Sequence, residues 1–219
     1  MTTVFFATPT RGELRLEHAM FREYVIASER RYKLHMHWAS GYPAGSVRCK
    51  IALSFLKSDA DFLLMLDSDQ APTDNPLDYI EQDLDVLAFP SPTYRGMDAR
   101  PIRWFPEPED PERGVVPVNE GTGGCMLIAR RVLEHPAMRA PFLDEYDADG
   151  IFESGEDQTF CRRARSAGFG VWCAMNAPLA HFKTVELLTI WRAYGLTGKP
   201  DSLPNGEGGA SRPHPERKD

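Results

Sequence analysis

Only four cysteines, Cys49, Cys125, Cys161 and Cys173, occur in 219 residues, with neither C-x-x-C spacing nor a neighbouring histidine to complete a zinc signature. A disulfide-stapled scaffold and a structural zinc site are disfavoured, and the four read as reduced thiols of core or helix positions in a reducing compartment. Long apolar runs are missing as well: Phe62-Leu63-Leu64-Met65-Leu66 falls far short of the roughly 18 residues that suggest a membrane span. The opening residues Met1 to Pro9 lack a basic leader and an apolar segment of signal-peptide length, so the expectation is an unexported, cytoplasmic protein. Positive charge is in deficit, 25 Lys and Arg against 32 Asp and Glu, for a net charge of −7. That balance argues against holding polyanions by bulk attraction and leaves room only for a local basic patch. The G-x-x-x-x-G-K-[ST] phosphate loop is absent, so ATP hydrolysis is unsupported, and there is no internal repeat.

What the chain does contain is 42% hydrophobic and 26% charged residues, enough core and surface for one sizeable α/β domain. Val4-Phe5-Phe6-Ala7 reads as a buried first strand ending at Thr8-Pro9. Thr10 and Glu13 stand in capping-box spacing before a helix. Its expected apolar stripe is Leu16, Ala19, Met20 and Ala27, with Arg15, Arg22, Glu29 and Arg30 off it. Tyr32, Leu34, Met36 and Trp38 alternate with Lys33, His35 and His37, the period of a strand with one wet face. That solvated face explains His35 and His37 better than a metal pair does, since no third ligand is near in sequence. Ser46 is placed to cap a second helix carrying Val47, Ile51 and Phe55, with Arg48 in its first turns. Phe62 to Leu66 reads as a central parallel strand, Asn75-Pro76 as a helix start before Leu77, Ile80 and Leu84, and Val86 to Phe89 as the next strand. The β-α-β-α-β-α-β order implies a mostly parallel central sheet with helices on both faces.

Between Ser91 and Glu120 the chain turns rich in proline, arginine and acids, and Arg103-Trp104-Phe105 and Val115 to Val118 suggest a small antiparallel addition. Gly121-Thr122-Gly123-Gly124 then leads into the strand Cys125 to Ala129, and a short helix begins at Arg130. Asp144 to Asp157 holds seven acids and no basic residue. A helix from Glu156 to Ala167 closed by Gly168, then a strand Phe169 to Ala174, completes the ordered pattern. Residues 1–197 read as a single domain, and 198–219, rich in Gly and Pro without an apolar stripe, as a disordered tail.

Asp67-Ser68-Asp69 follows the buried strand directly, at the sheet edge where open α/β folds bind ligands. Two carboxylates there suit Mg²⁺ or Mn²⁺ and leave coordination sites for phosphate oxygens and water. Read alone, such a pair is also an ordinary turn or cap.

Taken in order, six features resemble nucleotide-sugar glycosyltransferases of the GT-A fold. They are Thr8-Pro9-Thr10, the Arg48 helix, Leu64 to Asp69, Gly121 to Ile128, Gly155-Glu156-Asp157 and the late His181, together spanning roughly residues 3–185. The resemblance implies a Rossmann-like α/β domain that moves a sugar, of hexosyltransferase type, from a nucleoside diphosphate sugar, most simply a UDP-sugar, to an acceptor hydroxyl. It implies that Asp69 and His181 hold the divalent ion, with Asp67 on the ribose or on the ion through water. Thr8, Pro9, Thr10 and Arg11 would wrap base and ribose, Arg48 and Ser68 would sit at the nucleotide, and Gly123 and Gly124 would border the donor sugar. Glu156 and Asp157 match the acidic pair beside the acceptor. Asp157 is the preferred base, although Ser154-x-x-Asp157 also fits a capping box, and a retaining reaction would need no such base.

Trp104 and Trp191 are candidates to stack on sugar. Arg95, Arg100 and Arg103, with Arg162, Arg163 and Arg165, are candidates for a local basic track. Acceptors in play are a glycan, a small molecule, a protein, or a hydroxymethylated DNA base flipped from its duplex. Competing readings are a sugar-1-phosphate nucleotidyltransferase, whose Gly-rich loop with Arg and Lys is missing after the first strand, and a non-catalytic nucleotide-sugar-binding module.

Overall fold

The computed structural model describes residues 1–94, 102–106 and 114–183. Arg95, Arg100, Trp191 and the expected tail 198–219 lie outside the described residues, whereas the backbone of Arg103 and Trp104 lies within them. In chain order the elements are β1 (Thr3–Thr10), α1 (Leu16–Ser28), β2 (Lys33–Ser40), α2 (Ala44–Leu56), β3 (Phe62–Leu66) and β4 (Gln70–Pro72). A 3₁₀ segment, Pro76–Gln82, precedes β5 (Val86–Ala88), β6 (Ser91–Tyr94), β7 (Ile102–Phe105), β8 (Val115–Pro117) and β9 (Cys125–Ala129). Then follow α3 (Arg130–Glu134), β10 (Glu145–Tyr146), β11 (Phe152–Ser154), α4 (Glu156–Ser166), β12 (Val171–Ala174) and β13 (Leu179–His181).

Seven strands form the main sheet in the order β2-β1-β3-β9-β5-β12-β8. β1 is parallel to β2 and β3, and β12 is parallel to β5. The expected parallel run is interrupted once, because β9 inserts antiparallel between β3 and β5. β8 adds antiparallel at the edge, β6 pairs with β7 as the expected small addition, and β4 pairs with β13.

Central strands are apolar at every position because both sheet faces are covered. Phe5, Leu63, Met65 and Ile128 point to the face packed by Val47, Ile51 and Phe55 of α2, Val132 of α3 and Phe160 of α4. Val4, Phe6, Leu64, Leu66 and Leu127 point the other way, onto Val25 of α1 and onto Leu77 and Ile80. Period-two alternation thus splits one apolar run between two cores. Cys125, Cys161 and Cys173 are buried and Cys49 half-buried, all as free thiols. Among the described residues no helix is long and apolar enough to cross a membrane.

Local expectations fail in four places. On α1, Leu16 and Met20 are 69% and 59% exposed, while His18, Arg22 and Val25 are buried. The inward face is polar because His18 and Arg22 find hydrogen-bond partners there, which an apolar stripe search does not register. Thr10 closes a turn instead of capping a helix: its hydroxyl donates to the Glu13 carbonyl at 2.7 Å and accepts from Gly12 N at 3.0 Å. Ser46 lies inside α2, which begins after Pro43 with no side-chain cap. The N-cap of α4 is Gly155, and the Ser154 hydroxyl donates to the Gly155 carbonyl, so Ser154 and Asp157 form no capping box.

Candidate active site

β1 and β3 run in parallel and finish at one sheet edge, and the antiparallel β9 begins there, with Cys125 opposite Leu66. Asp67 therefore continues alongside the glycines: its N–H donates to the Gly124 carbonyl at 2.8 Å. Arg48 reaches the same place from α2, on the helix face that also buries Ile51 and Phe55. The start of α4 brings Glu156 and Asp157.

Arg48 is the hub. Its Nη2 donates to both oxygens of Asp67, at 2.7 and 2.9 Å, and to the Gly123 carbonyl at 3.1 Å. Its Nη1 donates to Glu156 Oε1. Asp157 is held differently, Oδ2 accepting from Gly123 N at 2.9 Å and Oδ1 from Gln158 N at 2.8 Å. Gly123 has no room for a side chain: a Cβ there would lie 3.0 Å from the Arg48 guanidinium carbon and 3.1 Å from Asp157 Cβ.

The second acid of the pair faces elsewhere. The short β4·β13 ladder sets Gln70 opposite His181, and Phe182 N donates to the Asp69 carbonyl at 2.8 Å. His181 Nε2 thereby comes to 3.4 Å from Asp69 Oδ2, and the Lys183 ammonium donates to that same oxygen. His181 Nδ1 lies 2.7 Å from the Pro92 carbonyl, which can only accept, so Nδ1 carries the proton. In the neutral ring Nε2 is then a lone pair; it is buried and has no hydrogen-bond partner. A lone pair and a carboxylate oxygen converging on one point suit a divalent ion. Among the described residues no three His, Cys, Asp or Glu side chains form a closed metal cluster. The fit is thus to an ion held by two protein ligands, the others coming from a bound phosphate compound and water.

Electrostatics point the same way. Glu13, Asp67, Asp69, Glu156 and Asp157 line a cleft of about 620 Å³ together with Arg11, Arg15, Arg48 and Lys183, a surplus of one negative charge. Burial pushes Asp67 up to about 6 against the pull of Arg48, with Asp69 adding to the rise. Burial likewise raises Glu156, again opposed by Arg48 and helped by Asp157. For Asp69 burial also acts upward, but the Lys183 ammonium, and His181 whenever its ring is protonated and donates from Nε2, outweigh it and hold the carboxyl well below its ordinary range. A bound cation would relieve this repulsion.

Most residues named from the sequence meet here: Pro9, Thr10, Arg11, Arg48, Asp67, Ser68, Asp69, Gly124, Glu156, Asp157 and His181 line the cleft, and Gly123 is bonded beneath it. Thr8 does not reach the surface. It is fully buried, its hydroxyl accepting from Arg22 Nη1 at 2.5 Å and lying 3.1 Å from His18 Nε2. Arg48 is no solvated helix cation, being only 5% exposed. Two of the three candidate arginines of α4 are engaged within the protein, Arg162 pairing with Glu120 and Glu145 and Arg163 donating to the carbonyls of Ala137, Arg139 and Ala140, while Arg165 is exposed. Sequence reasoning passed over Gln70 and Lys183, which also line the cleft. Both follow shortly after a residue it did name, the only local signal available. A larger cavity of about 1280 Å³ opens along β8 and β12 beside Trp172 and Phe169, but it contains none of these groups.

No protein-family profile and no curated protein sequence matches the chain. Solved structures do. The crystal structure of A197 from STIV aligns with a TM-score of 0.52 at 21% identity, covering 84% of this chain and 87% of that one. The crystal structure of GalNAc-T7 with UDP, GalNAc and Mn²⁺ aligns with a TM-score of 0.53 at 12% identity, covering 84% of this chain and 44% of that one. The chain thus spans less than half of GalNAc-T7. At these identities the likeness is one of fold: the chain has a GT-A-like α/β architecture with a mixed, mostly parallel seven-stranded sheet.

Proposed function

We propose that the chain is a metal-dependent glycosyltransferase that moves a sugar from a UDP-sugar to an acceptor hydroxyl. The observation that carries this reading is the convergence of Asp69 Oδ2 and the unpartnered His181 Nε2 in a cleft with a surplus of negative charge. UDP and Mn²⁺ are the ligands solved with GalNAc-T7, which supports the same pair here.

Asp69 and His181 would hold the ion, Mn²⁺ or Mg²⁺, which when bound offsets charge developing on the leaving diphosphate. The remaining work falls to the chain itself. Asp67, fixed by the two-oxygen contact with Arg48, presents a carboxylate whose remaining lone pairs can accept from a ribose hydroxyl. Thr10 and Arg11, at the end of β1, border the nucleoside. Asp157 takes the acceptor proton as the acceptor oxygen bonds to the anomeric carbon and the carbon–oxygen bond to the diphosphate breaks. Glu156 suits that role less well, because protonating it would break its ion pair with the buried Arg48.

The acceptor is a neutral hydroxyl compound in this reading. Five acids between Asp144 and Glu153, with no basic residue among them, lead into the catalytic pair Glu156 and Asp157, and Arg162 and Arg163 are engaged within the protein, so a polyanion such as DNA would be repelled. Calorimetric titration of UDP with and without Mn²⁺ tests the donor and ion half of the proposal. Binding that requires the ion is expected, and binding indifferent to it would overturn the assignment.

A further inference from the structure

Gln70 follows Asp69 directly, yet nothing in the scheme above uses it. Its side chain is only 3% exposed and lines the cleft, and its Oε1 has no hydrogen-bond partner. Its main chain is fixed on three sides. The N–H donates to the Asp67 carbonyl at 3.0 Å, the carbonyl accepts from His18 Nδ1 at 3.1 Å, and β4 pairs it with His181. The carboxamide fills the space that a side chain at Gly124 would need: a Cβ there would fall 2.2 Å from it. Gly124 cannot satisfy the orphan oxygen, since its N–H donates to Thr122 Oγ1 at 2.9 Å and its carbonyl already accepts from Asp67 N.

We infer that Gln70 accepts a hydrogen bond from a hydroxyl of the bound donor and is a donor-binding residue of the cleft. The inference rests on the donor site proposed above. A rigidly mounted, buried acceptor with no partner is satisfied by a donor that arrives with a ligand or by water. An alcohol fits, because its O–H can donate to Oε1. An ionised phosphate does not, because it offers only acceptors to an atom that is itself an acceptor. The hydroxyl belongs to the transferred sugar or to the ribose, and the experiment separates them.

The test is calorimetry with Mn²⁺ on wild type and Gln70→Leu, using UDP, UDP-glucose, UDP-galactose and UDP-N-acetylglucosamine as probes. Replacing the carboxamide is expected to weaken binding about two- to tenfold, the worth of one neutral hydrogen bond. The melting temperature should hold or rise, since a buried orphan oxygen is removed. Loss confined to UDP-sugars, with UDP unchanged, places the hydroxyl on the transferred sugar, and equal loss for UDP and UDP-sugars places it on the ribose. Either result sustains the inference. Unchanged affinity for every probe overturns it and leaves water as the partner of Oε1. Failure of the wild type to bind any probe is a different result: it removes the donor site itself, and this inference with it. If Gln70→Leu does not fold, Gln70→Met keeps the chain length and serves the same comparison.

Discussion

His181 Nε2 stands 3.4 Å from Asp69 Oδ2, although the two residues come from distant parts of the chain. The contact exists because two strands of only three residues each, β4 and β13, zip antiparallel beside the main sheet. The carbonyl of Pro92 then takes up Nδ1, which leaves Nε2 as the ring nitrogen facing the carboxylate. The proposed ion site depends on that small ladder.

Asp157→Asn separates a catalytic base from a structural anchor. Asn keeps a side-chain oxygen that can accept from Gly123 N but cannot take up a proton. Transfer should fall by at least about a hundredfold, within the usual range for general bases, while UDP and Mn²⁺ affinity stay near wild type. Near-normal transfer in a coupled UDP-release assay would move the role to Glu156 or to a retaining reaction without a protein base.

Acid should destabilise the fold in two successive windows. Burial lowers His18 to about 4, with its Gln70 carbonyl contact acting in the opposite direction. Between the ordinary 6.5 of the unfolded chain and 4, the unfolded state takes up a proton that the folded state refuses, so stability falls as pH drops through that range. The loss is about 3 kcal/mol. Glu29, held down to about 2 chiefly by its hydrogen bond from Arg31, contributes stability that is present above 4.5 and is lost as pH falls toward 2. Asp67, pushed up to about 6, acts with the opposite sign over part of this range, so the first window is read as the difference between wild type and His18→Gln in urea denaturation from pH 7 to 4.5, the variant losing less stability as pH falls. An unchanged slope in the variant would contradict the assignment.

Gly121 is fixed by packing. A Cβ at this position would lie 2.4 Å from Ala88 Cβ, on a buried strand with no room to yield. Gly121→Ala is expected to cost about 2 kcal/mol by overpacking, measured by urea denaturation, and adding Ala88→Gly should recover part of it. A neutral single variant would mean that the loop relaxes.

Much of this was legible in the sequence where one signal dominated. Val4 to Ala7, Phe62 to Leu66 and Cys125 to Ala129 are apolar on both faces, and only a strand covered on both sides explains such runs. The helix from Glu156 was announced by its acids and closed by Gly168, whose φ of +92° lies in the left-handed region. α1 was misread because its inward face carries His18 and Arg22, whose burial is offset by Thr8, by the Gln70 carbonyl and by stacking of the Arg22 guanidinium 3.7 Å from the Trp38 ring centre. Nothing local announces that arrangement. The antiparallel insertion of β9 was equally hidden, since strand order is decided by which edges meet in space. In the cleft, Asp67 and Asp69 are legible as a pair, and the resemblance sets Asp69 with His181 apart from Asp67, but the contacts that hold them are not legible: Asp67 is held by Arg48, and Lys183 joins His181 at Asp69. That division depends on contacts far apart in sequence.

The central claim is that Asp69 and His181 hold a divalent ion that binds together with a nucleoside diphosphate. Titration of UDP into wild type and into Asp69→Asn, each with Mn²⁺ and again with EDTA, addresses it most directly. The account predicts binding by wild type only when Mn²⁺ is present, and loss of that binding in Asp69→Asn, which still melts in one cooperative transition, at a somewhat lower temperature because the Lys183 ion pair is gone. UDP binding of equal strength in EDTA, or undiminished by Asp69→Asn, would contradict it.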